Sequence, residues 1–243
     1  MVARLSEDPV YVSAFAELFP GDVLADAAAG YAAMTEAIAA FERTAIFMPF
    51  DSRYDRFLRG EIELTRQEEL GRVLFFSQQF TNCNICHQLQ ASAVHPQETF
   101  SDYRFHNVGT PENLDLRAMN GVPVGTKDLG LAANPALAGD PAAEGRFRTP
   151  SLRNVAVTGP YMHNGVFDDL RTVVLFYNQY NTRSEARRIN PETGEHFGPP
   201  QVAHTLAMDE LTHGPALEDE RIDAIVAFLK TLTDARYEHQ LEP

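Results

Sequence analysis

Only two cysteines occur among 243 residues, and they stand two residues apart with a histidine directly after the second: Cys83-Asn84-Ile85-Cys86-His87. A disulfide across so short a loop would stabilise little globally, so the spacing says more than the number. Two thiols on one short turn can reach the two vinyl groups fixed on a haem macrocycle, and the adjacent histidine then falls beneath the iron. A zinc site needs four ligands, and no second cysteine pair exists. A dithiol redox motif is expected beside a βαβ pattern, which is missing. The motif therefore predicts a covalently attached haem c, tethered at Cys83 and Cys86, with His87 as the proximal iron ligand.

Hydrophobic residues make up 44% of the chain and charged residues 22%, the profile of a folded globular protein. The formal net charge of −14 disfavours nucleic acid and anionic membrane, both of which would repel it. No apolar run approaches the ~20 residues needed to span a bilayer. Met1 to Pro9 lacks the apolar core of a signal peptide. The chain therefore reads as a mature protein, as a product of a signal lying upstream, or as cytoplasmic.

Helical spacing covers 9–19 and 22–43, and a polar link follows around Asp51 to Gly60. Thr65-Arg66-Gln67-Glu68 has the form of a capping box, opening a helix that runs through Leu70, Val73 and Leu74 towards Phe76. Residues 90–147 show no sustained period, and so long a loop is usually functional or wrapped around something. A macrocycle would supply apolar area for such loops to cover, at roughly 25 cal/mol per Å². After Gly165, Asp168 and Asp169 suit a first helical turn, and Leu170, Val173, Val174 and Tyr177 fall on one face. A last helix, about 218–233, repeats the pattern with Ile222, Ile225, Val226 and Leu229. The expected fold is all-α: a cytochrome c-like haem domain with long irregular loops over 61–243, preceded by a helical inter-domain or packing segment over 1–60.

Four stretches carry a family resemblance. They are Ala37-Ile38-Ala39-Ala40-Phe41-Glu42-Arg43-Thr44, the haem motif with Leu74-Phe75-Phe76 before it, Phe105-His106-Asn107-Val108-Gly109, and the run from Phe147-Arg148-Thr149-Pro150-Ser151-Leu152-Arg153-Asn154-Val155 through Thr158-Gly159-Pro160-Tyr161-Met162-His163-Asn164-Gly165. In these the chain resembles the C-terminal haem domain of the bacterial di-haem cytochrome c peroxidase/MauG family. The family usually has two haem motifs, and its N-terminal haem domain binds peroxide. This chain has one motif and begins where the inter-domain region would lie, so it looks like part of a longer protein or one that lost its first domain.

Three residues compete for the other face of the iron. Tyr177 points inward by its helical position, as a ligand or as a core tyrosine with a satisfied hydroxyl. Met162 lies in a turn-like segment, and His163 beside it reads more as a hydrogen-bonding residue. The resemblance implies Tyr177: the peroxidases ligate this haem with a methionine at the matching position, MauG with a tyrosine, and Met162 remains the alternative. It also implies Ca²⁺ at the domain interface, held partly by the backbone carbonyls of Thr158 and Pro160. The asparagine that completes that site belongs to the first domain, so binding here should be weak. Where MauG has a tryptophan two residues before the motif, this chain has Thr81. Arg146, Arg148 and Arg153 are candidates for haem propionates, because guanidinium pairs with carboxylate bidentately. His106 reads as fixing a loop or a propionate, and His95, His196, His204, His213 and His239 as surface residues.

The resulting expectation is a haem oxidoreductase domain that passes electrons to or from a peroxide-reacting haem, with hydrogen peroxide reduced in the complete enzyme. The residues that would carry that catalysis are unknown from this chain. Its rival is a stand-alone mono-haem electron-transfer cytochrome without catalysis. Expected partners are a small redox protein as donor or acceptor and the family's N-terminal haem domain, and a homodimer is compatible with the sequence. The resemblance implies the periplasm.

Overall fold

Apolar periodicity and capping side chains together set where helices begin in this chain. The computed structural model describes residues 1–81, 83–89 and 97–241, which divide into two compact units, Met1–Pro49 and Phe50–Pro243. The helices are α1 Val2–Leu5, α2 Pro9–Leu18, α3 Ala27–Glu42, α4 Arg53–Leu58, α5 Arg66–Phe75, α6 Leu114–Asn120, α7 Leu170–Asn178, α8 Met208–Leu211 and α9 Asp219–Lys230. The strands are β1 Phe105–His106 and β2 Phe147–Arg148.

The first unit holds α1 to α3 around Phe15, Ala33 and Met34. Asp8 caps α2, with Pro9 at its first position, where the missing N–H costs nothing. The helix expected over 22–43 is in two parts: a 3₁₀ turn at Val23–Ala25, then α3. Asp26 is the reason, because its carboxylate accepts from Ala28 N at 3.0 Å and Ala29 N at 2.8 Å and so restarts the helix.

In the second unit the stretch read as a polar link contains α4. Ser52 and Asp55 form a capping box, the same device that opens α5 at Thr65 and Glu68. α5 packs against α9, and the two backbones meet at Gly71. A Cβ there would lie 1.8 Å from the Ala224 carbonyl oxygen, so only glycine permits the approach. Around this crossing Phe75 and Tyr54 pack on Phe228, with ring centroids of Phe75 and Phe228 5.2 Å apart, and Phe100 packs on Tyr54 and Phe75. The Tyr54 N–H donates to Thr231 O at 2.9 Å and ties α4 to the end of α9.

The fold is mostly helical, as expected, with one addition. β1 and β2 pair antiparallel, Phe105 opposite Arg148 and His106 opposite Phe147. Two-residue strands have too little alternation to be read from sequence. They anchor a loop layer that contains α6 and three 3₁₀ turns. Asn107 secures that layer: its Nδ2 donates to Val202 O and Thr205 Oγ1, each at 2.8 Å, and its Oδ1 accepts from Gly109 N at 2.9 Å. Among the described residues, no helix is long and apolar enough to cross a membrane.

Candidate haem site

Cys83, Asn84 and Ile85 form a 3₁₀ turn, and His87 N closes back on Cys83 O at 3.1 Å. The segment entering the turn is pinned by Thr81, whose Oγ1 donates to Leu74 O at 2.6 Å near the end of α5. Beyond it, Asp102 N donates to Cys86 O at 2.8 Å. The turn is thus held from both sides, with both cysteines as free thiols.

His87 Nδ1 lies 3.1 Å from the Phe100 carbonyl oxygen. A carbonyl only accepts, so the proton sits on Nδ1 and Nε2 presents its lone pair. Burial lowers the His87 pKa, against the opposing pull of the Phe100 and Pro150 carbonyls and Asp102. The neutral ring is the form that binds a metal, and a carbonyl on its other nitrogen is the usual orienting partner.

The thiols sit in surroundings that oppose a negative charge. Burial pushes Cys83 up, with the Thr81 hydroxyl working the other way. Cys86 is pushed up to about 12 by burial, then by the charges of Asp102 and Glu210. A zinc ligand or a nucleophile must be a thiolate. A thioether sulfur carries no charge and pays no such penalty, so the two positions suit covalent haem attachment.

Tyr177 lies on α7, which shows two different faces. Thr172, Leu175 and Phe176 are buried in the protein core, while Val173, Val174 and Tyr177 are only partly buried. The stripe read from sequence is therefore anchored by buried Leu170, with Val173 and Val174 packed half-buried against the core cluster. The Tyr177 hydroxyl is pushed up by burial, then by the charges of Cys86 and Cys83. Of the sequence-predicted residues, Cys83, Cys86 and His87 share one turn, and Tyr177 on α7 lies within electrostatic reach of both thiols. A buried phenol beside them needs a cation to become a phenolate, and haem iron is one.

The other predicted residues have different surroundings. Met162 packs half-buried against the core cluster with φ of +66°. His163 stacks on Phe147, centroids 3.5 Å apart, and its Nε2 lies 3.7 Å from Asp128. Thr158 and Pro160 are exposed, and no hydrogen bond to either carbonyl oxygen is found among the described residues. His196, His204, His213 and His239 are exposed, and His95 lies outside the described residues. Arg153 Nη1 pairs with buried Asp55 Oδ2 at 2.6 Å, and its Nε donates to Glu98 O at 2.7 Å.

Asp102 did not stand out in the sequence, although it precedes His106 by one helical-type spacing. Its Oδ2 lies 2.8 Å from His106 Nε2. Burial raises Asp102, but hydrogen bonds from His106, Thr149 and Arg104 N outweigh it and hold the carboxyl low. Ligand atoms of Cys86, Asp102 and His106 lie within 4.8 Å of one another. Three donors, one a protonated thiol and two already bonded to each other, do not make a zinc site. Beside this cluster opens a cavity of about 770 Å³, lined by the strand-pair region with Arg104, His106 and Arg146 and by residues 205–210 with Leu206, Asp209 and Glu210.

Comparisons with known proteins point to one family. The sequence model of a family described as di-haem cytochrome c peroxidase matches residues 1–63. The methylamine utilization protein MauG of Paracoccus denitrificans is 50% identical over 242 residues, spanning 100% of this chain and 62% of that protein. The cytochrome-c peroxidase IdrP1 of Denitromonas iodatirespirans is 33% identical over 197 residues, 73% of this chain and 48% of that protein. Among solved structures, the diheme peroxidase BthA of Burkholderia thailandensis superposes with a TM-score of 0.79 at 31% identity, over 99% of this chain and 60% of that one. The chain thus spans between about half and three fifths of the length of these relatives.

Proposed function

The chain belongs to the di-haem cytochrome c peroxidase/MauG family, and from that membership we propose that it carries one haem c that takes up and passes on electrons, while peroxide reacts at a second haem held outside these residues. The observation that supports this is the turn that carries Cys83, Cys86 and His87, with the His87 ring held through Nδ1 by the Phe100 carbonyl and Tyr177 in electrostatic reach of both thiols. When bound, the haem supplies a one-electron couple. The chain's residues do the rest. Cys83 and Cys86 tether it as thioethers. His87 offers Nε2, and the Phe100 carbonyl on Nδ1 fixes the ring and raises its basicity. Tyr177 offers an anionic oxygen, a hard donor that favours ferric over ferrous iron and lowers the potential.

With His87 and Tyr177 both holding the iron, the group would be left no free position for peroxide, which needs an open site with an acid/base group near it. In the complete enzyme the electrons go to peroxide reduction, or the oxidising equivalents act on a protein substrate in the MauG-like branch. A net charge of −14 favours a basic redox protein as partner. The periplasm, where c-type haem is attached and relatives of this kind work, is the proposed compartment. Ca²⁺ at the Thr158 and Pro160 carbonyls is part of the same reading. Two neutral oxygens fall well short of the six to eight that Ca²⁺ takes, so this chain alone binds it weakly.

The test uses holo-protein matured with a haem-attachment system. Tyr177→Phe keeps the ring and removes the oxygen, so the ferric spectrum moves towards five-coordinate or water-bound iron and the reduction potential rises. Steady-state turnover of the parent protein with peroxide and a reduced cytochrome is slow. Brisk turnover would show an open site of its own. An unchanged spectrum in Tyr177→Phe with a large change in Met162→Leu would make the chain an ordinary high-potential mono-haem carrier.

A further inference from the structure

We propose that Arg146 binds a haem propionate, its guanidinium holding the carboxylate in the cavity beside Cys86. The proposal rests on the haem reading above and selects Arg146 from the three candidate arginines; Arg104 lines the same cavity but is exposed. Arg153 also has a buried Nη2 without a partner, but its Nη1 and Nε are committed to Asp55 and the Glu98 carbonyl, and it does not line the cavity. Arg148 is exposed and lies over the Tyr103 ring, 4.8 Å from its centroid. Arg146 lines the cavity, and its side chain makes no hydrogen bond or ion pair among the described residues. Its Nε is buried with no partner. A buried donor left unmade costs free energy, which a ligand carboxylate would recover.

The backbone under Arg146 is clamped. Its carbonyl accepts from Leu131 N at 2.8 Å, and a Cβ at Gly130 would lie 2.4 Å from that oxygen. The side chain is therefore presented from a fixed point at the start of β2. The cavity also adjoins the haem motif. His106 is a wall residue and belongs to the cluster with Cys86 and Asp102. Asp209 and Glu210 line the same cavity, so a carboxylate entering it meets two like charges. A guanidinium is the group that offsets them, through a charge-assisted and geometrically matched pair.

The wild-type holo-protein is first extracted with acidified organic solvent. Haem lost at that step defeats the attachment reading and the Arg146 assignment with it, whereas retained haem leaves the assignment to be judged by itself. Spectroelectrochemistry and low-frequency resonance Raman are then applied to Arg146→Gln, Arg146→Lys and Arg148→Gln. Loss of the cation stabilises ferric iron, so the potential falls in Arg146→Gln and stays near wild type in Arg146→Lys. The propionate bending mode shifts in both Arg146 variants and in neither readout does Arg148→Gln differ from wild type. Should Arg146→Gln fail to fold, the Arg146→Lys bending mode decides. An unshifted mode in Arg146→Lys, or a larger change in Arg148→Gln than in the Arg146 variants, overturns the proposal.

Discussion

Where α5 crosses α9, backbone meets backbone at Gly71 and aromatic rings fill the rest, with Phe75, Phe228 and Tyr54 nearly inaccessible to solvent. Across the loop layer, residues 97–165, few side chains are buried to that degree, and the order comes from polar side chains bonded to main chain far away in sequence. Asn107 reaches Val202, Ser101 Oγ donates to Thr149 O at 2.7 Å, and Arg153 joins Asp55. The difference has an energetic meaning. Apolar crossings gain by area and are close-packed, so a deleted side chain costs by the cavity it leaves and an added atom by the strain it forces. Polar staples gain little net free energy each, yet each is expensive to break by halves. The loop layer, with a cavity beside it, depends more on what fills the site.

The largest effect should come from Gly71→Val. The branched side chain has nowhere to go but into the Ala224 carbonyl, so the loss should be at least about 3 kcal/mol, at the upper end of over-packing costs. Urea denaturation of the holo-protein measures it, and a loss below ~1 kcal/mol would show that the helices can part. Next is Arg153→Met, which strands a fully buried Asp55 carboxylate. Breaking a buried pair in this way costs about 3–5 kcal/mol. A smaller loss, of about 1–3 kcal/mol, is expected for Asn107→Ala, with faster amide exchange confined to 107–109. Exchange that spreads to α5 and α9 would mean the two regions do not unfold separately.

The smallest effect concerns the start of α5. Thr65→Ala should cost about 1 kcal/mol. Burial pushes the Glu68 carboxyl up, but hydrogen bonds from Arg53 and from the Thr65 backbone and side chain outweigh it, so its folded pKa is lowered. A lowered carboxyl stabilises the fold above its unfolded value of about 4.3, and that contribution is lost as pH falls through the folded value. Glu68→Gln should therefore flatten the acid limb of the stability curve, and an identical limb in parent and variant would remove this residue from the account.

These regions also differ in how far the sequence reveals them. The last helix and the α5 cap are visible as period and motif, because both are local. The α4 cap, Ser52-Arg53-Tyr54-Asp55, has the same local form yet sits in a short polar stretch with no apolar period behind it, so it reads as a link. The haem motif is legible because its chemistry is fixed by spacing within five residues. The Arg153–Asp55 pair is not, since nothing local marks a partner on another element. Nor are the carbonyls of Phe100 and Pro150, which any residue could supply. The strands β1 and β2 are two residues each and exist through pairing at a distance.

All of this stands on a haem fastened through Cys83 and Cys86. Extraction of the holo-protein with acidified organic solvent tests that claim most directly. The account predicts that the haem stays with the polypeptide, and that a peptide containing Cys83 to His87 carries its mass. Haem that passes into the solvent, leaving both thiols free, would contradict it.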